Sequence, residues 1–209
     1  MVKEQIQGRG IDRAELLDAF RTVPREKFVP DKHRSRAYQD CALPTDEGQT
    51  ISQPYIVARM TDLLDVSAGD RVLEVGTGSG YQAAILVEMG IQVYTIERVP
   101  QLARKARKRL ERLGYGSNVF VKTGDGTEGW AENAPYHGIV VTAGSPKIPE
   151  TLKAQLSIGG NLVIPVGTRD QQYVTLVTRE SRNEWSQQRQ APCVFVPLVG
   201  EEGWESGDE

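Results

Sequence analysis

A short apolar run, Arg71–Val75 (RVLEV), passes directly into Gly76-Thr77-Gly78-Ser79-Gly80 and then into a helical pattern over 81–89 that Gly90 closes. Glycines at alternate positions allow a tight turn and let the backbone approach a ligand closely. The pattern then repeats. Residues 91–96 (IQVYTI) read as a strand, and 100–113 read as a helix with Leu102, Ala106, Leu110 and Leu113 on one stripe. Strands are expected at 118–122, 138–142 and 161–166, with a helix over 148–156, and two last strands at 173–178 and 194–199. Strand–helix alternation of this kind commits the chain to an α/β fold with a mostly parallel sheet.

Before this region, residues 1–65 read as mostly helical. Asp12 is placed to cap a helix carrying Ile11, Leu16, Leu17 and Phe20, which Pro24 limits. Residues 30–48 are polar and without periodicity, a loop. A second helix is expected after Ser52, with Pro54 in its first turn and Ile56, Val57, Met60, Leu63 and Leu64 facing inward. A length of 209 residues suits one domain: helices and loop over 1–65, an α/β core over 70–200, and an acidic tail over 201–209 expected to be partly disordered.

Charge excludes several functions. Net charge is −3, so binding does not rest on attraction to nucleic acid or an anionic membrane. The seven Lys and Arg between Arg98 and Arg112 fall around a regular apolar stripe and read as the outward face of a sheet-packing helix. Two cysteines, Cys41 and Cys193, and two histidines, His33 and His137, give neither a disulfide framework nor a metal site, so no metal is expected. The chain has no apolar run long enough to span a bilayer and no secretory signal pattern. A monomer in the reducing cytoplasm is the expectation.

The turn suggests a ligand, although close packing of helix on strand would also select glycine. Glu97 ends the next strand, 17 residues after Gly80, where an acid can accept both hydroxyls of an adenosine ribose. The spacing is G-x-G-x-G with Glu74 two residues before the first glycine, which departs from the G-x-G-x-x-G of nicotinamide sites. It resembles the nucleoside-binding turn of class I S-adenosylmethionine-dependent methyltransferases, where the turn passes beneath the amino-acid moiety. Gly124-Asp125-Gly126 follows the third strand, where that fold puts an acid near the adenine amine. The cofactor set is therefore Glu74, Gly76, Thr77, Gly78, Ser79, Gly80, Glu97, Asp125, Gly126 and Thr142. A buried strand hydroxyl is an equally good reading of Thr142.

Further segments carry a narrower resemblance. Arg9-Gly10-Ile11, Val23 to Pro30 (VPREKFVP), Gly48 to Pro54 (GQTISQP), Glu74 to Gln82 (EVGTGSGYQ), Val141-Thr142-Ala143, Gly159-Gly160 and Phe195 to Leu198 (FVPL) occur in order. With these, the chain resembles the protein-L-isoaspartate O-methyltransferase family over roughly residues 5–204. The resemblance implies a doubly wound, Rossmann-like class I sheet of seven strands with an N-terminal helical extension, its last two strands exchanged relative to most class I members. It implies S-adenosyl-L-methionine as methyl donor and S-adenosyl-L-homocysteine as product. It implies as substrate the α-carboxylate of L-isoaspartyl residues in aged proteins, whose methyl ester closes to a succinimide that hydrolyses partly to normal aspartate.

That resemblance maps the ligand of the substrate carboxylate onto Ser52, with Pro44, Thr50, Ile51, Val194 and Phe195 lining the peptide groove. Ser52 is also placed to be a helix N-cap; the two roles are compatible. The residue inventory suits the chemistry, because a carboxylate with a pKa near 4 is already ionised and needs no general base. Two other readings remain: a methyltransferase of the same fold acting on another carboxylate or a small molecule, and a non-catalytic S-adenosylmethionine-binding module. The family pattern Leu-Pro-Ile-Gly-x-Gly-Gln is broken here as Leu43-Pro44-Thr45-Asp46-Glu47-Gly48-Gln49. Asp46 and Glu47 are expected to point to solvent, or else the loop is displaced and isoaspartyl binding weakened. His137 stands where the family has Asp and is given no catalytic role.

Overall fold

The computed structural model describes residues 1–205. Its first regular helix, α1 (Ala14–Thr22), buries Leu16, Leu17, Ala19 and Phe20. Arg13 occupies the N-cap without a side-chain cap bond, so Asp12 lies one residue outside the helix and does not cap it. The expected loop over 30–48 contains a 3-10 turn, Asp31–Arg36, and a short strand, β1 (Leu43–Pro44), paired antiparallel with β2 (Thr50–Ile51). A hairpin with its turn at 45–49 therefore stands where the sequence read only loop.

Helix α2 (Pro54–Leu64) has Pro54 in its first turn and Gln53 at the N-cap, again without a side-chain cap bond. Ser52 is thus not the cap. Val57, Ala58, Met60, Thr61 and Leu64 form the buried face, while Ile56 and Leu63 are only half-buried.

The alternating region follows as β3 (Arg71–Val75), α3 (Tyr81–Glu88), β4 (Gln92–Glu97), α4 (Pro100–Arg112), β5 (Val119–Thr123), β6 (Tyr136–Val141), α5 (Glu150–Ala154), β7 (Leu156–Gly167), β8 (Gln172–Arg179) and β9 (Trp185–Cys193). Seven strands make one sheet in the order β5-β4-β3-β6-β7-β8-β9. The pairs among β5, β4, β3, β6 and β7 are parallel, and β8 and β9 add antiparallel. Successive strand residues point to opposite faces. Val72, Val93, Val140 and Val163 accordingly join one apolar cluster with α1, α2 and α3, while Leu73, Ile96, Ile139, Val141 and Leu162 join a second that includes Leu152 of α5. Strands buried on both faces explain why they read as continuous apolar runs.

Two expectations need correction. The helix over 148–156 shrinks to α5, because β7 already begins at Leu156. The last strand is β9, not 194–199. Residues 194–199 instead run past the end of β6, where Gly144 N donates to Val196 O at 2.8 Å and Leu198 N donates to Gly144 O at 2.8 Å. The acidic tail is anchored at its start: the Glu202 carboxylate accepts from Glu150 N (2.6 Å) and Thr151 N (3.2 Å) at the positive end of α5. Residues 206–209, on which the rest of the expected disorder falls, lie outside the described residues. Among the described residues, no helix is long and apolar enough to cross a membrane.

Candidate active site

Open α/β sheets bind ligands beyond the carboxyl ends of their strands. Here β3, β4 and β6 end at Val75, Glu97 and Val141, and a crevice lies just past them. Glu74, Gly76, Thr77, Gly78, Ser79, Glu97, Gly126 and Thr142 line it from the sheet side; Thr50, Ile51, Ser52 and Phe195 line it from the hairpin and the 194–199 segment.

The turn itself explains its glycines. Gly76 has φ +98°, and a Cβ there would overlap the Thr142 hydroxyl oxygen. That hydroxyl donates to Gly76 O at 2.6 Å, with Val75 O at 3.1 Å, so Thr142 braces the turn from a crevice-lining position. Gly78 N donates to Glu97 Oε2 at 2.9 Å, and Val99 N donates to Glu97 Oε1 at 3.0 Å. The Glu97 carboxylate is therefore fixed in place by two backbone donors, with lone pairs left over for a ligand. The Thr77 and Thr95 hydroxyls share a 2.6 Å hydrogen bond beneath. Gly80 does not line the crevice; Leu110 of α4 would stand 3.2 Å from a Cβ there, so this glycine serves packing.

Glu74 lies at the crevice floor with 0% exposure, and neither of its carboxylate oxygens has a hydrogen-bond partner. Burial, reinforced by the neighbouring Glu97 charge, pushes its pKa up to about 8. An unpaired buried acid is costly, and a cationic ligand group would relieve it.

Ser52 is half-buried in the opposite wall, and its carbonyl accepts from Arg25 Nη2 at 2.7 Å. Arg25 escaped the sequence reading. It is 0% exposed, and its only sequence signal is a cation set between Val23-Pro24 and Phe28-Val29.

Other expected residues fall elsewhere. Asp125 does not line the crevice. Its Oδ1 accepts from Thr127 N and Thr127 Oγ1, both at 2.8 Å, and its Oδ2 from Glu201 N at 2.8 Å, which ties the C-terminal segment to the sheet. Pro44 is exposed on the hairpin and Val194 is 72% exposed, both outside the crevice lining. His137 lies at the opposite end of the sheet, its Nδ1 accepting from Arg71 N at 3.0 Å. Cys41 and Cys193 are free and half-buried, and burial pushes the Cys193 thiol up to about 11.

Asp46 neither floats in solvent nor faces Ser52. It pairs with Lys105 Nζ of α4 at 2.9 Å, which holds its carboxyl below the usual range, while Glu47 is exposed at φ +55°. Both partners are half-exposed, and such pairs contribute about 0.2–1 kcal/mol. Asp46→Gly is thus expected to change the KM for a peptide substrate by less than about twofold in steady-state assays; a larger change would place the carboxylate in the substrate path.

The family described as Protein-L-isoaspartate(D-aspartate) O-methyltransferase (PCMT) matches residues 1–203. Protein-L-isoaspartate O-methyltransferase 2 of Pelobacter propionicus is 54% identical over 205 residues, covering 98% of this chain and 91% of that protein. Protein-L-isoaspartate O-methyltransferase of Trichlorobacter lovleyi is 52% identical over 205 residues, covering 98% and 94%. A solved protein-L-isoaspartate O-methyltransferase superposes with TM-score 0.87 at 28% identity, covering 97% of this chain and 67% of that one. A Plasmodium falciparum structure of the same fold, described as a complex with S-adenosyl-L-homocysteine, gives TM-score 0.80 at 24% identity and covers 95% of this chain and 96% of that one. The chain belongs to the protein-L-isoaspartate(D-aspartate) O-methyltransferase family.

Proposed function

We propose that this protein repairs aged proteins by transferring a methyl group from S-adenosyl-L-methionine to the α-carboxylate of L-isoaspartyl residues. The observation that carries the reading is the continuity of one crevice: Glu74, the glycine turn and Glu97 form one wall, and Thr50, Ile51 and Ser52 form the other. A donor held by the first wall lies against an acceptor held by the second.

The residues fit the cofactor. The orphaned Glu74 carboxylate suits the cationic end of the methionine moiety, and the fixed Glu97 carboxylate suits vicinal ribose hydroxyls. Gly76 and Gly78 keep side chains out of the space between them. When bound, S-adenosylmethionine supplies a methyl group already activated by a positively charged sulfur.

What remains for the protein is alignment. The acceptor carboxylate is anionic at neutral pH, so no residue needs to remove a proton. Ser52 Oγ donates to that carboxylate and aims one oxygen at the methyl group. Thr50 and Ile51 flank it, and Phe195 packs against the peptide from the far wall. Holding nucleophile and methyl in line can supply up to about 7–11 kcal/mol of the barrier. The rival same-fold activity drew its support from Asp46 and Glu47, and the Asp46–Lys105 pair removes it. The protein's working unit is a monomer in the reducing cytoplasm, where two unpaired cysteines keep their thiols.

The deciding experiment offers labelled S-adenosylmethionine with an isoaspartyl peptide and its aspartyl twin. Base-labile label on the isoaspartyl peptide alone is expected; equal labelling of both, or of neither, overturns the proposal. Ser52→Ala removes one hydrogen bond to a charged group, so kcat/KM for the isoaspartyl peptide should fall about 10- to 100-fold. Cofactor affinity, read by calorimetry with S-adenosylhomocysteine, should stay unchanged.

A further inference from the structure

Burying a guanidinium without a carboxylate partner is expensive, and a chain keeps such a charge only when something compensates it. Arg25 is buried in this way: it takes part in no ion pair among the described residues. Its Nε donates to Ala37 O at 2.7 Å and its Nη2 to Ser52 O at 2.7 Å, while Nη1 has no partner. The guanidinium carbon sits 4.7 Å from the centre of the Tyr81 ring, and the Tyr81 hydroxyl is also buried without a partner. The titratable groups facing Arg25 are Tyr81 from α3 and Tyr38 and Cys41 from the segment before the hairpin; none is a carboxylate. Ser52 and Tyr81 both line the crevice, so the bare cation lies directly behind two wall residues.

We propose that Arg25 is a positioning residue for the substrate. Its buried, unneutralised charge selects a carboxylate at the Ser52 wall, and its bond to the Ser52 carbonyl fixes the residue that touches that carboxylate. This rests on the isoaspartyl reading given above. Arginine suits the task because it stays protonated when buried, whereas lysine does not. The charge is screened little there, so its effect persists in salt. Arrival of the substrate anion supplies the missing counter-charge, and an uncharged look-alike leaves the cation as it was.

The test compares two peptides, one with an isoaspartyl α-carboxylate and one with the matching α-carboxamide, the latter read as a competitive inhibitor. In Arg25→Gln the KM for the carboxylate peptide should rise about tenfold. The Ki of the carboxamide peptide, the Kd of S-adenosylhomocysteine and kcat should move little. Arg25→Lys should show the carboxylate preference only at the acid end, at about pH 5–6, where a buried lysine still holds its proton. It should lose that preference as pH rises from there, because a buried lysine gives up its proton early, while the wild type keeps its preference. Equal weakening of both peptides in Arg25→Gln, or a pH-independent preference in Arg25→Lys, overturns the proposal. Should Arg25→Gln fail to fold, the Arg25→Lys profile decides alone. Absence of methyl transfer by the wild type to the isoaspartyl peptide would instead refute the activity itself, which keeps the two failures apart.

Discussion

Gly76→Ala is expected to weaken binding of S-adenosylhomocysteine by at least about 100-fold, from about 3 kcal/mol of strain at the turn. Two costs fall on one methyl group. The residue holds φ +98°, a conformation that side chains rarely adopt, and the new Cβ would overlap the Thr142 hydroxyl oxygen. Thr142 cannot simply rotate away, because its hydroxyl is bonded to Gly76 O and lies beside Val75 O. Either the brace breaks or the turn shifts, and each outcome moves Gly78 N from the Glu97 carboxylate that it fixes. Gly114→Ala separates the two costs. Gly114 holds φ +87°, and a Cβ at that residue would meet nothing within 4 Å, so only the backbone strain applies. That variant should lose about 1 kcal/mol of stability by thermal melting and bind the cofactor normally. Normal binding by Gly76→Ala would mean that the turn is not the cofactor cradle.

How much of this was legible beforehand depended on what each residue packs against. Strands β3, β4 and β6 were readable because burial on both faces leaves continuous apolar runs, and the glycine turn marks where β3 stops. Strand β9 (WSQQRQAPC) was not readable. It lies at the sheet edge, pairs only with β8, and carries Pro192, so it shows neither an apolar run nor clean alternation. The segment mistaken for it, 194–199, is apolar because it covers the crevice.

Local rules misled at Ser52 and Asp12, since each stands one residue outside the cap of its helix. At α2, Gln53 takes the cap position while its amide donates to Asp40 O (3.1 Å) and Asp40 Oδ1 (2.9 Å). Three other placements could not be read for one reason: the partner lies far along the chain. Asp46 meets Lys105, Asp125 meets Glu201, and Arg25 meets Ser52. No pattern within a sequence window holds those pairs, and each decides whether a charged residue faces the crevice, braces the fold or stands behind the wall.

Glu74 is expected to make cofactor binding depend on pH over a range well above that of an ordinary exposed acid. Its pKa stands at about 8 in the ligand-free protein: burial raises it most, the nearby Thr95 hydroxyl acts against that, and the Glu97 charge raises it further. Below that value the acid is mostly protonated, and pairing with a cationic ligand requires the proton to leave. Affinity for S-adenosylhomocysteine should therefore rise with pH, on the order of tenfold per unit at the low end and about 50-fold between pH 6 and pH 8. Calorimetry in buffers of different ionisation enthalpy should detect close to one proton released per ligand at about pH 6, and almost none above about pH 9. Glu74→Gln should abolish both the slope and the release. The same shift has a second consequence for the ligand-free protein. A carboxyl that binds its proton more tightly when folded favours the folded state below the unfolded pKa, and this advantage is lost as pH rises through about 8. Thermal melts without ligand should thus fall in midpoint from about pH 5 to pH 8, and saturating S-adenosylhomocysteine should flatten that decline, because it supplies the charge that makes the ionised acid stable there. Affinity independent of pH, together with melts that rise over the same interval, would show that Glu74 meets no cation and that its burial serves the fold alone.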